Sequence, residues 1–273
     1  MLLSNRTQLP IFLLASALLV GCGPSEPVAT ETPVEEAPAR VESFTVDLSF
    51  PEEGADGAFT RHSIVDGPTA ILGTLESHYS VLEEGKSSHA PHTHRAEEII
   101  FPIHGDVEIY RGQWEDIEES RVRIGPGQFI FHASNHSHAM SALGPGPARY
   151  WVMQWEGGPT GAEDHILPPS TFDYRQVPDI DAASGVGSEV LVDSQTPNAG
   201  RYLGTSIAMA SGATIQTAAK DSDTVLITLT SGIEINGEAL AQHTVGYYPA
   251  GMEFGVENTG GDVGRYVAFE FSK

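Results

Sequence analysis

The sequence predicts an all-β protein made of two tandem barrels. Three observations carry that prediction. Short runs rich in β-branched and aromatic residues alternate with clusters of Gly, Pro, Asp and Ser. No segment sustains apolar residues at the 3.6 period of an amphipathic helix. The chain also repeats itself: Gly85 to Gly105 spans twenty positions, and so does Gly212 to Gly232. Many short strands with turn signals between them point to a sandwich or barrel.

Residues 1–21 read as a signal peptide. Arg6 is their only charge, and the apolar run Ile11–Val20 is too short to span a bilayer. The run ends in Leu19-Val20-Gly21-Cys22, which resembles the bacterial lipobox cleaved before its cysteine. Cys22 is the only cysteine, so it forms no internal disulfide, and lipidation is its expected fate. Residues 22–43, rich in Pro, Glu, Ala and Thr, lack large apolar side chains and read as a disordered tether. The expected location is the bacterial cell envelope, with contact to membrane through the lipid anchor only.

The 14 Lys and Arg against 37 Asp and Glu make the chain strongly acidic. That balance argues against nucleic acid and against electrostatic binding to anionic lipid.

The first barrel is expected over residues 44–157. Its strand candidates are Ala70–Leu75, His78–Leu82, Val107–Tyr110 and Arg149–Trp155. Within it stands Gly85, six residues, His92-Thr-His94, three residues, Glu98, six residues, Gly105. Residues two apart on a strand share a face, so His92 and His94 should project together. Glu98 opens the apolar run that follows and can turn its carboxylate toward them. His138 ends a Gly/Pro-punctuated pattern downstream. Seven of the eleven histidines fall between residues 89 and 138. Three imidazoles and a carboxylate suit a divalent transition metal with coordination positions left open.

This stretch resembles the first motif of the cupin superfamily, G-x5-H-x-H-x3,4-E-x6-G, with one extra residue after Gly85. The second cupin motif, G-x5-P-x-G-x2-H-x3-N, resembles Gly127 to Ala142, with Ala133, Asn135 and Ala142 in place of the proline, second glycine and asparagine. The resemblance implies jelly-roll barrels and carries over His92, His94, Glu98 and His138 as metal ligands. Manganese, zinc, iron, nickel and copper are all admissible for it. Outside the cytoplasm no reducing buffer holds ferrous iron, so manganese and zinc rank ahead.

Residues 158–185 read as a linker, and residues 186–273 as a second, degenerate barrel. There, His243 to Asn258 keeps Pro249, Gly251 and Asn258 of the second motif, with His243 at the first glycine. Aligning the glycines places Ala219, Asp221 and Val225 opposite His92, His94 and Glu98, and Phe254 opposite His138. No ligand survives, so this copy is expected to be structural. Asp221 and Asp223 read as a solvated loop, and Glu97, next to a ligand on a strand, as a solvent-facing carboxylate. His104, His132 and His136 are rim or packed histidines on this reading. Half of Tyr150, Trp151, Met153, Gln154 and Trp155 must face the pocket, and the pattern does not say which half.

The functional expectation is a metal-dependent protein acting on a small, oxygen-rich organic molecule. Dioxygenase, decarboxylase, isomerase and hydrolase chemistry all fall within what the resemblance implies. The alternative is a non-catalytic lipoprotein that binds a metal or small ligand, and a homodimer is compatible with either. No G-x-S-x-G elbow, phosphate-binding Gly-rich loop or free cysteine nucleophile is present.

Overall fold

The computed structural model describes residues 39–48, 59–111, 120–157 and 167–273, all within the unit Pro38–Lys273. Cys22, the signal-peptide reading and most of the tether lie outside them. The described residues form nineteen strands and no helix.

The first barrel faces a large sheet against a small one. The large sheet runs in the order β10 (Ser170–Asp173), β7 (Gln128–His132), β4 (Glu97–His104), β9 (Ala148–Glu156), β3 (Thr74–Leu82) and β2 (Phe59–Gly67). The small sheet is β6 (Arg121–Ile124), β5 (Val107–Arg111) and β8 (His138–Ala142). The second barrel repeats the plan. Its large sheet is β1 (Phe44–Asp47), β17 (Thr244–Tyr248), β14 (Ser222–Thr228), β19 (Gly264–Ser272), β12 (Ala199–Met209) and β11 (Val186–Thr196). Its small sheet is β13 (Thr214–Thr217), β18 (Phe254–Asn258), β15 (Ile233–Ile235) and β16 (Glu238–Leu240).

Two strands depart from the sequence boundaries. Phe44–Asp47, expected in the first barrel, pairs with β17 of the second. Ser170–Asp173, inside the expected linker, pairs with β7 of the first. Each barrel's large sheet is thus completed by the strand that precedes the other barrel in the chain.

The period-two alternation of these strands divides three cores. Ile100, Ile130, Val152 and Met140 fill the first barrel, while Leu226, Tyr248, Phe254 and Val256 fill the second. The residues between them on the same strands, among them Phe101, Phe131, Trp151, Trp155, Val225 and Phe269, join a third cluster shared by both large sheets. Burying both faces of a sheet explains the consecutive apolar residues Ile99–Ile103 of β4, Tyr150–Met153 of β9 and Val225–Ile227 of β14. Phe129 and Phe269 meet edge to face across it at 5.3 Å.

This packing corrects the reading of Glu97. Its side chain does point away from Glu98, but into the inter-barrel core, where it is fully buried and accepts a 2.5 Å hydrogen bond from Thr196 Oγ1. Asp223 is equally buried and accepts from Thr69 Oγ1, while Asp221 is exposed as expected. The two pairs mirror each other. Each threonine belongs to the opposite barrel, Thr196 at the end of β11 and Thr69 in the loop between β2 and β3, and its Oγ1 in turn accepts backbone N–H groups, from Ala199 at 3.0 Å and Leu72 at 2.8 Å. A buried carboxylate left without such donors would be costly.

The turns of the second motif keep their shape where its glycines are replaced. Asn135, in place of the motif's second glycine, adopts φ 61°, and Gly251 at the matching place in the second copy has φ 86°. His243, in place of the first glycine, has φ 64° against 93° at Gly127. Asn and His tolerate the left-handed region better than most residues, so both turns survive the substitutions.

Candidate metal centre

β4 and β8 bring the predicted residues together from opposite sheets. Glu98 is the second residue of β4, on its inward face, and His138 is the first of β8. His92 and His94 are not on a regular strand. They lie in the extended segment before β4, where His92 forms an isolated bridge with His138, their backbones exchanging two 3.1 Å hydrogen bonds. The ligand atoms of His92, His94 and His138 all fall within 4.8 Å of one another. Glu98 closes the group, with its oxygens 3.7 Å from His94 Nε2 and 3.4 Å from His138 Nε2.

Hydrogen bonding fixes the tautomers. His94 Nδ1 donates to the Ala96 carbonyl at 2.9 Å, and His138 Nδ1 to the His136 carbonyl at 3.1 Å. A carbonyl only accepts, so each Nδ1 carries a proton and, in the neutral ring that binds a metal, each Nε2 presents a lone pair. Both Nε2 atoms are buried with no hydrogen-bond partner. Lone pairs facing carboxylate oxygens at such range repel unless a cation lies between them. The donor set therefore fits a metal ion, and it fits a divalent one through its mixed nitrogen and oxygen donors.

The electrostatics agree. Burial pushes the His92 imidazole down to about 4, and the neighbouring histidines push the same way, so it is neutral and able to donate its lone pair at neutral pH. Interaction with the Glu98 carboxylate raises His94 above the ordinary imidazole value. Burial opposes ionisation of Glu98, yet its histidine neighbours hold it well below the usual carboxylate range. The Gln154 amide also donates to it, which orients the carboxylate.

Of the remaining candidates, Tyr150 and Gln154 line the cavity, Trp151 and Met153 belong to the inter-barrel core, and Trp155 belongs to that core and also reaches the cavity. His132 is fully buried behind the site, stacked on His138 at 4.3 Å and pushed by burial to about 3. His104 and His136 are exposed, the latter serving through its carbonyl. His89, an exposed residue, meets the His92 ring edge-on at 4.0 Å.

The second barrel lacks the site, though the equivalence read from the glycines slips by one. Glu98 pairs with His132 and Gln154, and the residue paired in the same way with Tyr248 and Glu270 is Thr224, not Val225. Val225 faces the inter-barrel core. Phe254 stacks on Tyr248 at 4.3 Å, the two standing where the first copy has the stacked His138 and His132.

The sequence reading missed three residues in the cavity. It encloses about 540 Å³ and is lined on the side away from His138 by Arg61, Glu76 and His78. The signal for Glu76 and His78 was the alternation in Thr74-Leu-Glu-Ser-His78, a strand with polar residues on its inward face.

No protein-family model and no curated protein matches the sequence. Solved structures do match. An E162A mutant of Bacillus subtilis oxalate decarboxylase superposes with a TM-score of 0.59 at 14% identity, over 88% of this chain and 80% of that one. Lactobacillus farciminis oxalate decarboxylase, in a formate complex, gives 0.60 at 11% identity, over 86% and 88%. A cupin 2 conserved barrel domain protein from Leptotrichia buccalis gives 0.56 at 14% identity, over 85% and 98%. With two barrels in tandem and a histidine cluster in the first, this chain has the bicupin fold.

Proposed function

We propose that the chain is a metal-dependent bicupin that binds one divalent ion through His92, His94, Glu98 and His138 and acts on a small, oxygen-rich organic molecule. The observation that supports this most directly is the pair of buried, partnerless Nε2 atoms turned toward Glu98, each with its Nδ1 committed elsewhere. A bound ion would supply Lewis acidity toward a substrate oxygen or a bound water. The chain's own contribution is to hold the ligands' tautomers, to fix the carboxylate through Gln154, and to leave a cavity of about 540 Å³ beside the cluster. Manganese and zinc remain the favoured ions. Small-molecule chemistry is the common ground with the oxalate decarboxylases that share the fold. The lipobox-like Leu19–Cys22 supports attachment to the cell envelope through lipid on Cys22.

Elemental analysis of the soluble form lacking residues 1–22 tests the reading. About one divalent ion per chain is expected. His94→Ala should lose most of it, and Phe254→His should add none. A chain retaining its ion after loss of both His92 and His94, or holding two, would sink the assignment.

A further inference from the structure

A second constellation shares the cavity with the histidine cluster. Glu76 and His78 both project inward from β3, and Arg61 reaches them from β2. His78 is largely buried, and its Nδ1 lies 3.2 Å from Glu76 Oε1. The Arg61 guanidinium donates to that same oxygen. The hydrogen bond from His78, with Arg61 also contributing, keeps the Glu76 carboxyl below its ordinary range, so it is ionised and can only accept. Nδ1 of His78 therefore carries the proton, and Nε2 is left as the basic nitrogen. A carboxylate that orients an imidazole in this way is the supporting half of a general-base pair.

Register fixes the separation. His78 pairs with Val152 on β9, which pairs with Ile100 on β4, two residues from Glu98. Glu76 is level with Glu98 through Gln154, so their backbones stand two strand spacings, about 10 Å, apart, and the backbone of His78, two residues further along β3, is about 12 Å from that of Glu98. A small molecule of a few heavy atoms spans that gap.

We propose that His78 is the general base of this site, oriented by Glu76 and Arg61, and that the molecule bound here carries an acidic O–H or C–H whose proton His78 takes. In that step the O–H or C–H bond breaks and its electron pair stays on the substrate. The proton passes to His78 Nε2, giving an imidazolium beside the Glu76 carboxylate. The inference rests on the metal reading above and deepens it, since a base beside the ion belongs to an enzyme and not to a passive carrier. Other charged or titratable groups facing the cavity are His89, His92, His94 and Arg95 before β4, Glu98 on β4, His138 on β8, and Tyr150 and Glu156 on β9.

The test uses the zinc-loaded soluble form and 4-nitrocatechol, a chelating probe whose visible absorbance distinguishes its monoanion from its dianion. The pH midpoint at which the bound probe loses its second proton is measured, with zinc content determined for each variant. His78→Gln should raise that midpoint by about one pH unit or more. Glu76→Gln, which leaves the imidazole but removes its partner, should raise it by less. His78→Asn replaces the first variant if that one does not fold. An unchanged midpoint in fully zinc-loaded His78 and Glu76 variants overturns the base assignment and leaves the metal site standing. A wild-type chain that takes up no zinc overturns the metal reading itself, and this inference with it.

Discussion

Glu97→Gln should make the stability of the folded chain markedly less sensitive to a rise in pH from 4.5 to neutral. Burial between the barrels pushes the Glu97 carboxyl up to about 7 from an ordinary 4.5, even though the hydrogen bond from Thr196 works the other way. Below pH 4.5 the group is protonated whether the chain is folded or not, and it adds no pH dependence. Between 4.5 and 7 the unfolded chain ionises first and gains stability relative to the folded one. The loss is complete above the folded value. At about 1.4 kcal/mol per pH unit it amounts to about 3 kcal/mol. Glutamine stays neutral throughout and can still accept from Thr196. Urea denaturation of the metal-free protein at pH 4.5 and pH 8 measures the stability of both forms. The variant's stability minus that of wild type should rise by about 3 kcal/mol across this interval. All other titrating groups are common to both and cancel. A difference that is the same at the two pH values would show that Glu97 is ionised in the folded protein at no cost, and the burial reasoning would fail.

Asp223→Asn should cost about 1–3 kcal/mol in the same denaturation assay, because Asp223 accepts from Thr69 and from Ala250 N at 2.9 Å in a buried position. Asp221→Asn, on an exposed residue, should change neither stability nor metal content. Deleting residues 186–273 should cause aggregation visible by light scattering, since it uncovers Phe101, Phe131, Trp151 and Trp155 together; a stable, monomeric 44–160 fragment would contradict this. Cys22→Ser should move the protein from the membrane fraction to the soluble one, and wild-type protein found soluble with an intact amino terminus would refute lipidation.

What the sequence made legible was local. The histidine pair, Glu98 and their glycines sit within one short stretch, and strands showed as β-branched runs between turn residues. The second barrel was legible as a copy because Pro249, Gly251 and Asn258 keep their spacing. What escaped needed a partner far away in the chain. Glu97 was misread because its face of β4 is covered by another barrel, although the uninterrupted run Ile99-Ile100-Phe101 already signalled two buried faces. The one-residue slip at Val225 arose because counting between glycines ignores a loop that differs in length. β1 and β10 are four-residue strands whose pairing partners lie beyond any local pattern. The Glu76–His78 pair was open to the alternation rule, but only the cavity shows that its face is the inner one.

The crossed leading strands have a consequence for how this molecule came to be a single chain. Each copy lends the strand that precedes it to the other's sheet, and each buries one acid on a threonine of the other. Such reciprocity is the signature of an isologous, arm-exchanged dimer. Here the same exchange occurs within one chain, whose two copies are joined by the segment between β9 and β10. That connection should be dispensable for the fold. Cut between residues 158 and 166, the chain should yield two halves that are each unfinished and complete one another when mixed. In the intact chain, β1 must wait for β17 nearly two hundred residues later. Joining them closes the longest loop of any strand pairing among the described residues, so β1 is expected to be the last strand to dock.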